Sequence, residues 1–248
     1  MAFENWNGYQ LERFTLCDRE AIVVYPKEGT ANGKWVLKTE YFGAFPDTEL
    51  QLLAKGWHVA HIKTITRWYV PQDNKNKAAL AAYMHEQLGL SKKCAIVGMS
   101  CGGMQGIYFA EEYPQLVSCL YLDAPVVNFL STPGGFGVPI FDPEKRAKTF
   151  AEFYNATGIS KTDLLSYRNH PLDRIPTLLQ HRIPLILVSG DADTAVDYNE
   201  NGHLLQLAYE QAGLTIETYI KPGGDHHPHG LPDNTPIVSF IEKYSTEA

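Results

Sequence analysis

The segment around Ser100 contains the residue types from which a serine nucleophile is built. Gly98, Ser100 and Gly102 form a G-x-S-x-G pattern between an apolar run over residues 95–97 and a helical pattern over 104–112. The apolar run predicts a buried strand and the second pattern a helix, so the chain must turn sharply between them. A Cβ at Gly98 or Gly102 would collide in such a turn. We therefore predict Ser100 at the apex of the turn, with its hydroxyl exposed as a nucleophile.

A serine that attacks a carbonyl also needs hydrogen-bond donors for the oxyanion that develops. The first N–H groups of a helix lack intrahelical partners, and the one on Cys101 follows the serine directly. A second donor is expected from the loop after the predicted strand 34–39. We predict the backbone N–H of Tyr41 for this role, with Phe42 as the next choice. The Cys101 thiol is a less favoured nucleophile, because the turn presents its middle residue.

The serine hydroxyl needs an imidazole to take its proton and a carboxylate to hold that imidazole. In an open α/β sheet such groups follow the carboxyl ends of strands. The strongest apolar strand after the turn, 184–189, leads into a loop in which we predict Asp193 as the acid. We expect Asp191 to shape that loop and Asp197 to cap the next helix. Asp123, at the end of another predicted strand, is the main alternative acid.

The loop after the last predicted strand carries the candidate base. Residues 223–230 read Gly-Gly-Asp-His-His-Pro-His-Gly, and we predict His226 as the base. His227 and His229 are expected to orient the loop or to line its polar edge. The other histidines are expected to be structural or at the surface: His58, His61, His85, His170, His181 and His203. The predicted order along the chain is serine, aspartate, histidine.

The same loop has a second interpretation, because Asp225, His226, His227 and His229 are all possible metal ligands. They lie in one short loop, without the His-Glu-x-x-His helical spacing or the distant carboxylate partner typical of a hydrolytic zinc site. We therefore expect no metal and no cofactor.

Aromatic residues in the predicted loops are candidates for the substrate pocket. Trp68, Tyr69, Phe129 and Phe136 all fall near the rim of the predicted site. We predict that they line a pocket for an acyl group or a sugar. Packing in the core is the alternative for each of them.

Composition favours a small-molecule partner. The chain has 248 residues, of which 44% are hydrophobic and 20% charged, and its net charge is −7. This charge argues against binding to nucleic acid or to an anionic membrane, which needs clustered Lys and Arg.

The first residues lack a basic segment followed by an apolar run, and no stretch is long enough to span a membrane, so we expect a cytoplasmic protein. The four cysteines are expected to be reduced thiols. The oligomeric state is left open.

The elements that position these residues are predicted from periodicity. The strand 21–25 and the strand 34–39 are expected to pair as a hairpin, and a helix is expected with Asp47 as its N-cap and its end at Gly56. Further along, the predicted elements are strand 57–62, helix 77–88, strand 95–97, helix 104–112, strand 117–122, strand 184–189, helix 201–212, strand 215–220 and helix 236–244. Strands that alternate with helices predict an α/β fold with a mostly parallel central sheet and helices on both faces.

The alternation is interrupted between Val126 and Arg182, where Gly, Pro and aromatic residues mix with a helical fragment, 144–154. We predict a small cap, inserted over the site, within a single domain of residues 1–248.

Three motifs resemble those of the α/β-hydrolase superfamily. They are the Gly98–Gly103 turn, the Gly190–Asp193 loop and the Gly224–His229 loop. The chain is most similar to small bacterial esterases and prolyl-oligopeptidase-related hydrolases with a GxSxGG turn and an H-x-P-H loop. The resemblance extends over nearly the whole chain, and it implies an α/β-hydrolase fold with Ser100 as nucleophile, Asp193 as acid and His226 as base. One departure is that Thr39-Glu40 replaces the His-Gly usual after the third strand, so the resemblance does not assign the oxyanion loop.

Together these features predict a serine hydrolase that cleaves a small carboxylic ester, with a short acyl group that could be carried by a carbohydrate. The alternatives with the same triad are a serine peptidase and an acyltransferase. An alternative of another class is a binding protein that keeps the fold without activity.

Overall fold

Nine strands form one sheet in the computed structural model, which describes residues 3–138 and 142–245. The strands are β1 (Glu4–Trp6), β2 (Tyr9–Leu16), β3 (Arg19–Tyr25), β4 (Trp35–Lys38), β5 (His58–Ile62), β6 (Cys94–Met99), β7 (Val117–Asp123), β8 (Leu185–Gly190) and β9 (Ile216–Lys221). The helices are α1 (Asp47–Ala54), α2 (Pro71–Glu86), α3 (Cys101–Glu112), α4 (Pro143–Thr157), α5 (Lys161–Leu164), α6 (Ile175–Gln180), α7 (Gly202–Gln211) and α8 (Thr235–Tyr244), with short 3-10 turns at Pro114–Leu116 and Pro171–Arg174.

The spatial order of the strands is β1-β2-β3-β5-β4-β6-β7-β8-β9. From β5 to β9 all neighbouring strands are parallel, whereas β1, β2 and β3 form an antiparallel edge that joins the sheet through β5. The carboxyl ends of β4, β6, β7, β8 and β9 therefore meet at one edge of the sheet. This is the edge at which side chains from distant parts of the sequence can converge.

The predicted hairpin between residues 21–25 and 34–39 is wrong. Strand β5 lies between β3 and β4, and β4 pairs in parallel with β5 and β6. Every residue of β4 is buried, as expected for a central strand covered on both faces. Two hairpins do form: β1 and β2 are joined through Asn7 and Gly8, and β2 and β3 through Cys17 and Asp18, with all four turn residues at positive φ. The first turn has the Asn-Gly sequence typical of a two-residue hairpin, whereas the second has no such sequence.

Two apolar layers enclose the sheet. Along β4 and β6, Leu37 and Ile96 face one layer, which includes residues of α2, α3, α6 and α7, while Val36 and Val97 face the other, which includes residues of α1 and α8. This alternation along each strand is the pattern by which a central strand contributes to both layers. No helix within residues 3–138 and 142–245 is long and apolar enough to cross a membrane.

Helix α2 begins at Pro71, six residues before the predicted start at Lys77. Proline fits the first turn of a helix because its missing N–H would have no partner there. The first turn of α2 is polar, so apolar periodicity in the sequence begins only after the helix has started. Between β7 and β8, where a cap was predicted, the chain forms α4, α5 and α6, and α4 extends the predicted fragment 144–154 to Pro143–Thr157. Residues 139–141 of that segment lie outside the described residues.

A buried ion pair lies below the edge where the parallel strands end. Lys38, at the end of β4, places its Nζ 2.7 Å from Oε1 of Glu49 in α1, and both side chains are almost fully buried. The same Nζ donates to the carbonyl of Ala44 at 3.3 Å. The pair therefore joins β4 and α1 to the loop between them.

Replacing Lys38 by Met is expected to lower the free energy of unfolding by about 3 kcal/mol, because it leaves the Glu49 carboxylate buried without its counter-ion. Urea unfolding followed by circular dichroism measures the change. The double variant Lys38→Met/Glu49→Leu is the control, and it should recover most of the loss because no uncompensated charge remains. Equal stability of the single variant and the wild type would contradict this role for the pair.

Candidate active site

Ser100 lies on the turn between β6 and α3, with φ 54° and ψ −120°. These angles are unusual for a residue with a side chain and mark a strained backbone. A Cβ at Gly98 would lie 2.7 Å from the carbonyl oxygen of Gly102, as expected for so tight a turn. At Gly102 itself a Cβ would be crowded rather than excluded, 3.2 Å from the side chains of Thr39 and Glu40. The strain is held by β7, because the Ser100 N–H donates to the Asp123 carbonyl at 2.9 Å.

The structure brings Ser100, His226 and Asp193 into one hydrogen-bonded chain. His226 Nε2 lies 3.0 Å from Ser100 Oγ, and His226 Nδ1 lies 2.7 Å from Asp193 Oδ2. The other carboxylate oxygen of Asp193 accepts from the N–H groups of Ala195 and Val196, each at 2.7 Å. The carboxylate is buried and fixed on both sides, so it can hold the imidazole in one orientation.

The loops that carry Asp193 and His226 are joined to each other at the ends of β8 and β9. The N–H of Ala192 donates to the carbonyl of Gly224 at 3.0 Å. Asp225 Oδ1 accepts from the N–H of Thr194 at 2.7 Å and from the N–H of His226 at 2.8 Å. These hydrogen bonds explain why an aspartate after β8 and a histidine after β9 meet above a serine from β6.

Asp123, the alternative acid, pairs with a different imidazole. Its Oδ1 lies 2.9 Å from His229 Nδ1, and its Oδ2 accepts from the N–H of Gly230 at 2.6 Å. Tyr121 OH donates to the same Oδ2 at 3.1 Å. Asp123 is fully buried, and His229 nearly so. The site therefore contains a second carboxylate–imidazole pair, which anchors the far end of the histidine loop.

The other two aspartates of the acid loop hold turns. Asp191 accepts from the N–H of Gly223 at 2.6 Å, which agrees with its predicted role in shaping the loop. Asp197 was expected to cap the next helix, but its side chain accepts from the N–H of Glu200, before α7 begins at Gly202. Asp197 therefore closes a turn that precedes the helix.

The two residues predicted to donate to the oxyanion both line the cavity that Ser100 lines. Cys101 is the first residue of α3, so its N–H has no intrahelical acceptor. Tyr41 follows β4, has φ 56°, and lines the same cavity as Ser100. The phenol of Tyr41 lies beside the Cys101 thiol and the guanidinium of Arg67, and burial raises its pKa. Burial also raises the pKa of the Cys101 thiol, to about 11, so this thiol is a poor nucleophile at neutral pH.

Glu40, the departure noted in the sequence, belongs to a polar network behind the site. Its Oε2 accepts from Thr64 Oγ1 at 2.5 Å and from Gln105 Nε2 at 2.8 Å. Gln105 in turn accepts from Lys77 Nζ at 2.6 Å. Lys77 is fully buried, and this burial lowers its pKa to about 8, although Asp73 and Glu40 favour its charged form. Glu40 thus connects the loop after β4, which contains Tyr41, to α2 and α3.

A cavity of about 310 Å³ opens above Ser100. Of the four aromatic residues predicted to line the pocket, Trp68 does so. The other three do not line this cavity. Tyr69 stacks on Tyr108 with ring centroids 3.9 Å apart, and Phe129 is buried beside Trp68 in an aromatic cluster. Phe136 is 50% exposed to solvent.

The cavity wall also contains residues that the sequence did not single out. They include Phe45, Arg67, Met99, Val126 and Val196. Isolated apolar residues in loops produce no hydrophobic periodicity from which a pocket could be predicted. Phe45 follows closely after the predicted oxyanion donor Tyr41, and this position is the one feature by which the sequence could have indicated it.

Comparisons with known proteins agree with this architecture. A family model described as "alpha/beta hydrolase fold" matches residues 75–158. Among solved structures, the chain is similar to dipeptidyl peptidase 4 of Porphyromonas gingivalis, with a TM-score of 0.67 and 16% identity over 95% of this chain and 35% of that one. It is also similar to the acylaminoacyl peptidase of Pyrococcus horikoshii, with a TM-score of 0.68 and 13% identity over 98% of this chain and 40% of that one.

The chain has the α/β-hydrolase fold. The predicted fold class is confirmed, and the chain spans less than half the length of the two solved structures. In an α/β-hydrolase fold the nucleophile follows a central strand, and the acid and base follow later strands, in the order serine, acid, histidine. Ser100 after β6, Asp193 after β8 and His226 after β9 occupy such positions.

In this α/β-hydrolase fold, Arg67 joins the cavity wall to the inserted segment. Its Nε donates to Glu152 Oε1 at 2.7 Å and its Nη2 to Oε2 at 2.5 Å, which connects the loop before α2 to α4. Burial disfavours the charged guanidinium, but the hydrogen bonds to Glu152 together with the interactions with Cys101 and Tyr41 outweigh it, and the pKa of Arg67 is raised. Arg67 therefore stays cationic and fixes α4 beside the site.

Proposed function

We propose that this protein is a serine hydrolase that cleaves carboxylic esters through an acyl-enzyme. The observation that carries the proposal is the chain from Ser100 Oγ to His226 Nε2 at 3.0 Å and from His226 Nδ1 to Asp193 Oδ2 at 2.7 Å, on a strained glycine turn. A serine hydroxyl with an imidazole and a buried carboxylate behind it is activated for attack on a carbonyl carbon.

In the first half of the reaction Ser100 Oγ attacks the ester carbonyl while its proton passes to His226 Nε2. Asp193 stabilises the imidazolium that forms. The N–H groups of Cys101 and Tyr41 hold the oxyanion, a contribution of about 10²- to 10³-fold for each donor. Collapse of the tetrahedral intermediate breaks the bond to the leaving alcohol, which takes the proton from His226. The acyl group is then attached to Ser100.

In the second half His226 takes a proton from water, and the resulting hydroxide attacks the acyl-enzyme carbonyl. The same two N–H groups hold the second oxyanion. Its collapse releases the carboxylic acid and returns the proton to Ser100. No cofactor takes part in either half.

The cavity supports a short acyl group. Its volume of about 310 Å³ is at the low end of small-molecule sites. Apolar side chains such as Trp68, Val126 and Val196 form much of the wall, which suits an alkyl chain of a few carbons. A carbohydrate ester remains compatible with this cavity as long as the sugar is the leaving group, because the acyl group alone must fit inside.

A peptidase is the second candidate function. It is favoured by the likeness to structures named dipeptidyl peptidase 4 and acylaminoacyl peptidase, in which the same fold is part of a longer chain. Against it, no Asp or Glu side chain among the described residues lines the cavity. A peptidase that selects a free N-terminal amine needs a carboxylate to bind it. An acyltransferase would use the same acyl-enzyme with an alcohol in place of water.

A fluorophosphonate probe tests the proposal directly. We expect the wild type to be labelled and Ser100→Ala to remain unlabelled, because only an activated serine reacts. The wild type should also hydrolyse p-nitrophenyl acetate and butyrate faster than the p-nitroanilides of the same acids, of a free-amine dipeptide and of an N-acetylated amino acid. An unlabelled wild type would instead indicate a binding protein, and faster anilide cleavage a peptidase. Ester product formed from added alcohol in preference to acid would indicate an acyltransferase.

A further inference from the structure

We propose that His226, His227 and His229 form a zinc site directly above Ser100, and that Zn²⁺ bound there blocks the serine. Within the described part of the chain, one ligand nitrogen from each of the three imidazoles lies within 4.8 Å of the others. The ring centroids are 4.8, 5.0 and 4.9 Å apart in the three pairs. Neutral imidazole is a preferred ligand of zinc, and three histidines are sufficient for a tetrahedral ion completed by water or an oxygen ligand.

Two of the imidazoles are already oriented as metal ligands usually are. His226 Nδ1 faces Asp193 at 2.7 Å, and His229 Nδ1 faces Asp123 at 2.9 Å. A metal-binding histidine typically donates its other N–H to a carboxylate, which fixes the tautomer and leaves the remaining nitrogen with a free lone pair. Sequence spacing argued against a metal because no distant carboxylate was evident. The fold supplies two, from the ends of β8 and β7.

The third imidazole has room to adjust. His227 is exposed, and its ring stacks on Phe45 with centroids 5.3 Å apart and an interplanar angle of 15°. Zinc–nitrogen bonds are about 2.0–2.1 Å, which places two ligands of a tetrahedral ion about 3.3 Å apart. Nitrogens 4.8 Å apart must therefore approach one another by about 1.5 Å, a change that an exposed side chain beside a nearly buried one can make by rotation.

The charge around the three imidazoles favours a cation. Asp193 and Asp123 contact two of the three rings, and both carboxylates are buried. Asp225 precedes the cluster and accepts from the N–H of His226. Two buried carboxylates behind the three imidazoles would balance the charge of one divalent ion.

Zinc binding and catalysis compete for the same atom. His226 Nε2 is the nitrogen that faces Ser100 Oγ at 3.0 Å, and it is the only ring nitrogen of His226 not directed at Asp193. If Zn²⁺ takes its lone pair, the imidazole cannot accept the proton of Ser100. The site would therefore be inhibitory, and removal of the metal by a chelator would restore the base.

Isothermal titration calorimetry of the full chain with Zn²⁺ tests the site without any need for turnover. We expect one Zn²⁺ per chain for the wild type and for Ser100→Ala. His227→Gln and His229→Gln should each bind at least about 10-fold more weakly, in line with the usual effect of perturbing a metal's ligand shell. His181→Gln is the matched control, because it removes an exposed imidazole outside the cluster, and it should bind like the wild type. Circular dichroism verifies that each variant is folded.

For the wild type, inhibition of ester hydrolysis should follow the same Zn²⁺ concentration dependence as binding, and EDTA should reverse it. Absence of a one-to-one site, or unchanged affinity in both His227→Gln and His229→Gln, would overturn the proposal. Tight binding without any ester hydrolysis at any zinc concentration would leave the site in place and count against the proposed hydrolase instead.

Discussion

Asp193→Asn is expected to lower kcat for p-nitrophenyl acetate by about 10⁴-fold while the protein stays folded. Asp193 uses one oxygen to accept two backbone N–H groups and the other to face His226 Nδ1. An asparagine can keep the first oxygen, but it then presents an NH₂ group to the imidazole. Two donors cannot face each other, so the ring is driven to the tautomer that carries its proton on Nε2. That nitrogen can no longer accept the proton of Ser100.

Two other aspartates serve as controls for this variant. Asp191→Asn, two residues away on the same loop, alters a turn and should change kcat by only a few fold. Asp123→Asn removes the carboxylate that pairs with His229, so it should reduce the stability of the fold. Its effect on kcat should be small, because the Asp123 carboxylate does not contact His226 or Ser100. The measurement is steady-state kinetics together with thermal unfolding. A loss of kcat in Asp123→Asn equal to the loss of kcat in Asp193→Asn would mean that the acid has been assigned to the wrong strand.

The choice between these two acids shows what the sequence could and could not supply. Both follow apolar strands that end at the same edge of the sheet, and strand periodicity placed both there. It could not tell which imidazole each would meet, because that depends on how the loop 223–230 folds back over the strands. Hydrogen bonds from Ala192 to Gly224 and from Thr194 to Asp225 decide the pairing, and none of them follows from residue type alone.

The turn at Ser100 was predictable because its requirements are local. A strand, two glycines with little space for a Cβ, and a helix are consecutive in sequence. Strand β4 was also identified, but its neighbours were not, since a parallel partner lies a whole helix away along the chain. The prediction that four aromatic residues line the pocket did not distinguish Trp68 from the other three for a related reason. An aromatic ring near the rim can pack inward on another ring as Tyr69 does, and only the tertiary structure separates that from a cavity wall.

Glu40 illustrates a residue whose role needed the structure. Its departure from the usual pattern placed a carboxylate near the site that the sequence did not explain. It accepts hydrogen bonds from Thr64 and Gln105, which come from a loop before α2 and from α3. The residue before Tyr41, one predicted oxyanion donor, is thereby fixed to the helix that begins with Cys101, the other predicted donor. If both donate as proposed, their relative position is held in part by side chains that do not line the cavity.

Gly190→Ala is expected to lower the free energy of unfolding by about 3 kcal/mol and kcat by about 10²-fold. Gly190 is the last residue of β8, and a Cβ there would lie 2.0 Å from the carbonyl oxygen of Gly224 and 2.5 Å from its carbon. These are backbone atoms and cannot rotate away. The chain must relieve the overlap by moving the Gly224 loop from the end of β8, which separates His226 from Asp193.

A control variant separates the effects of Gly190→Ala on kcat and on the free energy of unfolding from the general effect of replacing a glycine by alanine. Gly213→Ala is the control, because Gly213 has φ 62° and a methyl group there would meet no atom of another part of the chain within 4 Å. That variant should lose about 1 kcal/mol from backbone strain alone and keep the wild-type kcat. Urea unfolding and kcat measured well below the unfolding transition give the two quantities. Wild-type kcat in folded Gly190→Ala would show that the loops carrying Asp193 and His226 keep their relative position without the close contact between Gly190 and Gly224. Their alignment would then be set by the hydrogen bonds of Asp191, Ala192 and Asp225.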